Sequence, residues 1–240
     1  MKLIGFQSYK NAHKPALTPE HKLKRLSWCL DKVGWGPEQW RKVVWSDESK
    51  FMVLGNDGGS RVIRKEGKRY NDYYIIKTKK FGSGSVMLWG CFWAGGYGPL
   101  VALDGRVNQD RYIECLDKSY LPWIADVMKN EEGNFVLQED GASCHTGRIS
   151  TSWKEDQPLV NSFSFWPAQS PNLNPIEHLW ATMEKRIESK RHRIDNAEQL
   201  LACIHEEWNN LDLDLAERLV ASMTSGCQAV INTRGEITRY

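Results

Sequence analysis

Three acidic residues stand where the chain changes character. Asp47 lies in or beside an early strand, Asp140 just past a strand end, and Glu177 in the first turn of a helix. Carboxylates at strand ends and a helix start can converge at one edge of a sheet, where hard oxygen ligands bind Mg²⁺. Two such ions can activate an attacking oxygen and stabilise the leaving one in an in-line phosphoryl displacement. Each acid also has a purely structural reading. Asp47 suits a turn cap in Ser46-Asp47-Glu48-Ser49, and Asp140-Gly141 is a common chain-reversal pair. Asn174-x-x-Glu177 fits a capping box with Pro175 at the first helical position. Spacing alone leaves both readings open.

The elements that must position these acids follow from periodicity and breakers. The start through Pro15 is polar and irregular. Thr18 reads as an N-cap before Pro19, and Leu23, Leu26, Leu30 and Val33 recur at helical spacing, with Lys22, Lys24 and Arg25 on the polar face. Residues 42–45 and 51–54 read as strands flanking Asp47, 56–59 as a turn and 61–64 as a further strand. Residues 81–103 form the longest uncharged run, but six glycines and Pro99 make poor helix. That run splits into strands at 86–94 and 100–103 around a 95–98 turn, a buried hairpin and no membrane span. Residues 110–128 read as a helix that Pro122 could kink. A strand at 134–138, a helix at 146–154 and a strand at 162–166 follow. A loop at 167–175 then opens a long helix whose stripe is Ile176, Leu179, Trp180, Met183 and Ile187. A last helical region spans 196–223. The mixture predicts an α/β fold around one central mixed sheet flanked by helices.

Composition is that of a soluble globular chain: 240 residues, 41% hydrophobic, 26% charged, formal net charge +2. The balance is uneven, with residues 1–80 carrying a net +10 and residues 81–240 a net −8. A basic first third suits a polyanionic partner, an acidic remainder suits a metal-requiring carboxylate cluster, and two solvated faces would look the same. The six cysteines contain no C-x-x-C pair, and no segment reads as a secretory signal. Reduced intracellular thiols are therefore expected, rather than disulfides or zinc.

The longer strings around the acids narrow the choice. Val44-Trp45-Ser46-Asp47-Glu48-Ser49-Lys50-Phe51 resembles the first acidic motif of DDE transposases of the Tc/mariner superfamily. Gln138-Glu139-Asp140-Gly141-Ala142-Ser143-Cys144-His145 resembles the second, and the run from Trp166-Pro167 through Asn174-Pro175-Ile176-Glu177-His178-Leu179-Trp180 the third. The third is the most specific, and the end from Gln228 to Tyr240 looks like that of Tc-one-like members. The resemblance implies a ribonuclease H-like fold in which Asp47, Asp140 and Glu177 are catalytic and bind two Mg²⁺ or Mn²⁺ ions. It implies cleavage of a DNA strand by water at the element end, attack of the freed 3′ hydroxyl on target DNA, and a preference for TA targets. Partners would be double-stranded DNA, both transposon ends and target, in a homodimer suited to paired ends; the compartment would be the nucleus.

The resemblance also divides the chain: residues 1–36 as linker and lead-in helix, 37–195 as the DDE catalytic domain, and 196–240 as a helical extension packed on the core. The usual N-terminal helix-turn-helix modules are expected to be absent, since the chain begins about where the linker after them would lie. The interval of 36 residues between Asp140 and Glu177 is slightly long for the family, and Gly141 stands where asparagine is common. His145 matches a family histidine and is a candidate for supporting the metal site, against a plain helix-start role. Lys185, Arg186, Lys190, Arg191 and Arg193 are candidate phosphate contacts, against a solvated helix end. The eleven tryptophans are expected mainly in the core. Two other functions compete: an inactive transposase-derived DNA-binding protein, and a ribonuclease H-like nuclease acting on hybrids.

Overall fold

The computed structural model describes residues 16–54 and 84–238. The expected turn at 56–59, the strand at 61–64 and the start through Pro15 lie outside the described residues.

Strands β1 (Val43–Met52), β2 (Ser85–Trp93), β3 (Gly96–Leu103) and β4 (Val136–Gln138) form one sheet in the order β3-β2-β1-β4. β4 runs parallel to β1, and the other two pairings are antiparallel. Two short strands flanking Asp47 were expected; a single ten-residue strand runs through it instead. Successive side chains of a strand point to opposite faces. Val43, Trp45 and Phe51 enter one core and Val44 the other, so the face of β1 that carries Asp47 is anchored on either side of the acid and the opposite face just before it. The hairpin turn falls at Ala94-Gly95 rather than at 95–98. Gly98 belongs to β3, where a Cβ would lie 2.5 Å from Cys91 Sγ.

One face of the sheet is covered by α1 (Pro19–Asp31), α2 (Pro37–Arg41), α7 (Ile176–Lys190), α8 (Ala197–Asn209) and α9 (Leu213–Asn232). The other packs against α3 (Gln109–Cys115) and α4 (Leu121–Asn130). The result is the expected mixed α/β sheet flanked by helices. All five apolar stripe residues of α7 are buried, as its periodicity predicts.

Several elements depart from expectation for physical reasons. Thr18 caps α1 as predicted, accepting from the His21 amide. The leucine stripe, however, faces out, with Leu23 67%, Leu30 48% and Val33 59% exposed, while Arg25, Trp28 and Cys29 are buried. These three also stand at i, i+3 and i+4. The large indole gains most from burial, and the guanidinium finds acceptors for its donors. The helix at 110–128 is continuous but carries a π turn at Leu116–Tyr120 directly before Pro122. A proline cannot donate to the preceding turn, and the wider turn accommodates that loss. The helix at 146–154 is two, α5 (Ser143–Thr146) and α6 (Arg148–Glu155), separated at extended Gly147. Residues 162–166 make no strand: a single bridge joins Ser162 to Leu137, and Phe163 and Trp166 turn edge-on to Trp28. The last helical region is two helices, since Asp212 caps a new start and α9 runs on to Asn232.

Among the described residues no helix is long and apolar enough to cross a membrane. All six cysteines are free thiols.

Candidate active site

β1 supplies Asp47, the chain just beyond β4 supplies Asp140, and the first turn of α7 supplies Glu177. All three line one cleft of about 420 Å³, whose other wall is the loop from Trp166 to Pro171. Because β4 lies beside β1 in parallel with Trp45 opposite Gln138, Asp47 and Asp140 each stand two residues further along adjacent chains.

Side chains that spacing did not single out hold this edge together. Ser46 Oγ donates to the Gln138 carbonyl (2.6 Å), and the Ser46 amide donates to Gln138 Oε1 (3.2 Å). Asn174 Nδ2 donates to the Ser46 carbonyl (3.2 Å), tying the start of α7 to β1. The capping box expected between Asn174 and Glu177 is not formed. Asn174 is spent on β1, its Oδ1 only reaching the Ile176 amide at 3.4 Å, and Glu177 is left facing the cleft. The signal was present, since all these residues lie inside the quoted strings, but spacing cannot tell a cap from a tie.

The electrostatics of the three acids differ. Burial raises the pKa of Asp47 to about 8, and the charges of Glu177, Glu48 and Asp140 push the same way. Its carboxylate accepts one side-chain hydrogen bond, from Trp180 Nε1 at 3.2 Å. Partial desolvation also raises the pKa of Glu177. Asp140 moves in the opposite direction: its hydrogen bond from His145 holds it below the ordinary carboxylate range, against the effect of burial.

His145 therefore stands at the site. Its Nδ1 lies 2.7 Å from Asp140 Oδ1, its Nε2 lies 3.1 Å from Glu48 Oε1, and its ring packs on Tyr112 at 4.3 Å. Burial opposes protonation of the imidazole, but hydrogen bonds with Asp140, Cys144 and Glu48 outweigh it, and the pKa is pushed up to about 12. Behind it, buried Glu139 accepts from Tyr112 (2.5 Å), Ser162 (2.6 Å) and Lys154 (2.8 Å), and Lys154 also donates to the His145 carbonyl (3.0 Å). This satisfied network fixes the turn that carries Asp140. His178, next to Glu177, is exposed.

Among the described residues no lysine or arginine lines the cleft. Three carboxyl groups on one cleft, with the His145 imidazolium on Asp140 as the cation beside them, are a hard oxygen donor set, which fits a divalent ion such as Mg²⁺ or Mn²⁺. Among the described residues no three His, Cys, Asp or Glu side chains are gathered tightly enough to hold an ion as they stand.

The five basic residues on and after α7 divide. Arg186 pairs with Glu207, and Lys190 with Glu206 and Glu207. Arg191 pairs with Glu184 and Glu188 and donates to the carbonyls of Met52 and Val53. These three are tied into the fold. Lys185 and Arg193 are exposed and make no ion pair among the described residues. Of the tryptophans, Trp28, Trp40, Trp45, Trp89, Trp93, Trp180 and Trp208 are buried, as expected, whereas Trp166 lines the cleft.

Residues 42–201 match the family described as DDE superfamily endonuclease. The transposable element Tc1 transposase of Caenorhabditis elegans is 35% identical over 236 residues, covering 98% of this chain and 84% of that protein. The Tcb1 transposase of Caenorhabditis briggsae is 35% identical over 240 residues, covering 100% of this chain and 85% of that protein. Among solved structures, the catalytic domain of Mos1 mariner transposase superposes with a TM-score of 0.74 at 16% identity, covering 95% of this chain and 100% of that one. The Mos1 mariner paired end complex with Mn gives a TM-score of 0.77 at 17% identity, covering 99% of this chain and 69% of that one. At such identity the likeness is one of fold, the ribonuclease H-like sheet with its flanking helices.

Proposed function

Since the chain belongs to the DDE superfamily endonucleases and, within them, to the Tc1-like transposases, we propose that Asp47, Asp140 and Glu177 are the catalytic carboxylates of its DNA strand cleavage and strand transfer. Asp47 and Asp140 are the principal metal ligands, and Glu177 completes a second ion's set. The observation that carries this reading is the convergence of three acidic side chains, carried by three separate elements, on one cleft. Divalent ions, when bound, supply the positive charge that offsets charge developing on the scissile phosphate.

The chain's own residues do the rest. His145 keeps Asp140 ionised and aimed, Trp180 fixes one oxygen of Asp47, and Ser46, Gln138 and Asn174 hold the three supporting backbones in register. The wall at residues 166–171 confines the DNA strand against the acids. Water is the nucleophile for cleavage and the freed 3′ hydroxyl for transfer. Two copies acting on paired transposon ends, with target DNA as the second substrate and the nucleus as the site of action, complete the reading. It is supported by relatives named as transposases and by Mos1 structures described as paired-end complexes.

Nicking of duplex DNA carrying an element end should require Mg²⁺ or Mn²⁺. Asp140→Asn should abolish it, lowering the rate at least ~10³-fold, while circular dichroism and melting remain those of a folded chain. Equal activity in the variant would refute the site. A salt-dependent gel shift without cleavage in any divalent metal would favour an inactive DNA-binding protein, and preference for RNA–DNA hybrid over duplex would favour a nuclease.

A further inference from the structure

Behind the cleft wall lies a fully buried guanidinium, that of Arg25, which makes no ion pair among the described residues. A buried charge is tolerated only when its donors are satisfied, and those of Arg25 are divided between two distant segments. Nε donates to the Gly235 carbonyl (2.9 Å) and Nη2 to the Glu236 carbonyl (3.2 Å), beyond the end of α9. Nη1 donates to the Gln169 carbonyl (3.2 Å) and to Ser170 Oγ (2.8 Å), both in the cleft wall.

Each segment has an unusual backbone where Arg25 grips it. Gln169 is in the left-handed region with φ 57°, a conformation that persists in a non-glycine residue only where its surroundings over-determine it. Gly235 has φ 87°, and a Cβ there would lie 2.1 Å from the Lys22 carbonyl oxygen, so only glycine lets the chain pass. The contact continues on both sides. Ser170 Oγ donates onward to Ala168 O (3.2 Å), Asn172 Nδ2 donates to Thr238 Oγ1 (2.9 Å), and Lys22 pairs with Glu236 (2.5 Å).

We propose that Arg25 is a positioning residue for strand cleavage: it clamps the C-terminal residues 235–236 to the wall at 169–170 and so holds that wall opposite the three carboxylates. The inference rests on the functional reading above. Arg25 hydrogen-bonds none of the acids, which ride on β1, the end of β4 and α7. Loosening the clamp therefore leaves metal binding intact and disturbs the DNA strand between wall and acids.

The test compares the wild-type chain with Arg25→Lys, which keeps the charge but loses the fork, and Ser170→Ala, which removes one of the two wall-side bonds of Arg25 together with the hydroxyl's own bond to the Ala168 carbonyl. In Arg25→Lys the cleavage rate constant at saturating DNA should fall about tenfold or more, since misplaced reactants forfeit much of the advantage of proximity. Mn²⁺ affinity should stay within about twofold, because the carboxylates are untouched. Amide exchange at residues 168–172 should accelerate while β1 and α7 keep their protection. Ser170→Ala should slow cleavage less, and the double variant should be no slower than Arg25→Lys, because the two residues share one interaction. Wild-type exchange at 168–172 with a wild-type rate constant in Arg25→Lys would overturn the proposal, as would Mn²⁺ affinity falling in step with the rate. A wild-type chain that cleaves no DNA would overturn the functional reading instead, a failure recognised without any variant.

Discussion

A carboxyl group that releases its proton only near pH 8, as Asp47 does, holds that proton in the folded chain where the unfolded chain, with an ordinary value of 3.8, has lost it. Between about pH 4 and 8 the folded state therefore binds the extra proton, and stability falls as pH rises through that window. Asp47→Asn removes this dependence. The variant should melt at or near the wild-type temperature at pH 4 to 5 and several degrees higher at pH 8, as calorimetry across that range would show. A cation at Asp47 must displace the same proton, so Mn²⁺ affinity should rise with pH up to about 8, with proton release detectable by titration in buffers of different ionisation heat. The acids themselves were legible in the sequence because each sits in a long, distinctive string. Their charge states were not, because the shift at Asp47 comes first from burial and then from Glu177, far away along the chain, with adjacent Glu48 and distant Asp140 adding to it. The role of Ser46, Gln138 and Asn174 was equally hidden, since each is an ordinary turn or strand residue until its hydrogen-bond partner is known.

β1 carries Asp47 opposite Gly90 of β2. A Cβ at Gly90 would lie 2.7 Å from the Trp180 ring and 3.3 Å from the Trp208 ring. Gly90→Ala should cost about 1–3 kcal/mol by overpacking. It should also slow cleavage beyond any loss of folded protein, because Trp180 is the donor to Asp47; urea unfolding and cleavage assays read the two effects separately. On α7 and just after it, the cations should separate in the same way. Arg191→Ala should destabilise by about 1–2 kcal/mol, since it strands the partly buried carbonyls of Met52 and Val53, while its partners Glu184 and Glu188 remain solvated. Lys185→Ala and Arg193→Ala should change stability by less than about 0.5 kcal/mol. If they touch phosphate, each lowers the log–log salt slope of DNA binding by about one. The α7 stripe was readable because five large apolar residues recur at helical period. The α1 face was not: two sets of residues share that period there, and only the neighbours decide that Trp28 goes in and Leu23 stays out.

Across the whole molecule, one hydrophobic cluster joins Trp28 of α1, Trp45 of β1, Ile187 of α7, Trp208 of α8 and Val230 of α9. A fragment of residues 37–195 would lose Trp28, Leu200, Ile204, Trp208, Val220 and Met223 from that cluster. It should show no cooperative unfolding transition and should bind an apolar dye, as a loosely packed chain does. The resemblance already implies a helical extension at 196–240 packed on the core; which side chains it shares with α1, β1 and α7 is legible only once the packing is seen. The same cluster contains a chain of indoles. Trp40 lies over Trp45 at 5.9 Å, Trp28 meets Trp40 at 6.1 Å, and both Trp28 and Trp45 meet Trp166, at 5.0 and 6.4 Å. Excitation absorbed by one such ring passes readily to the next, and here the relay runs from the deep interior to a ring on the cleft wall. Progressive quenching of tryptophan emission as duplex DNA is added is therefore the expected outcome if a strand enters the cleft beside Trp166, and unchanged emission would count against it.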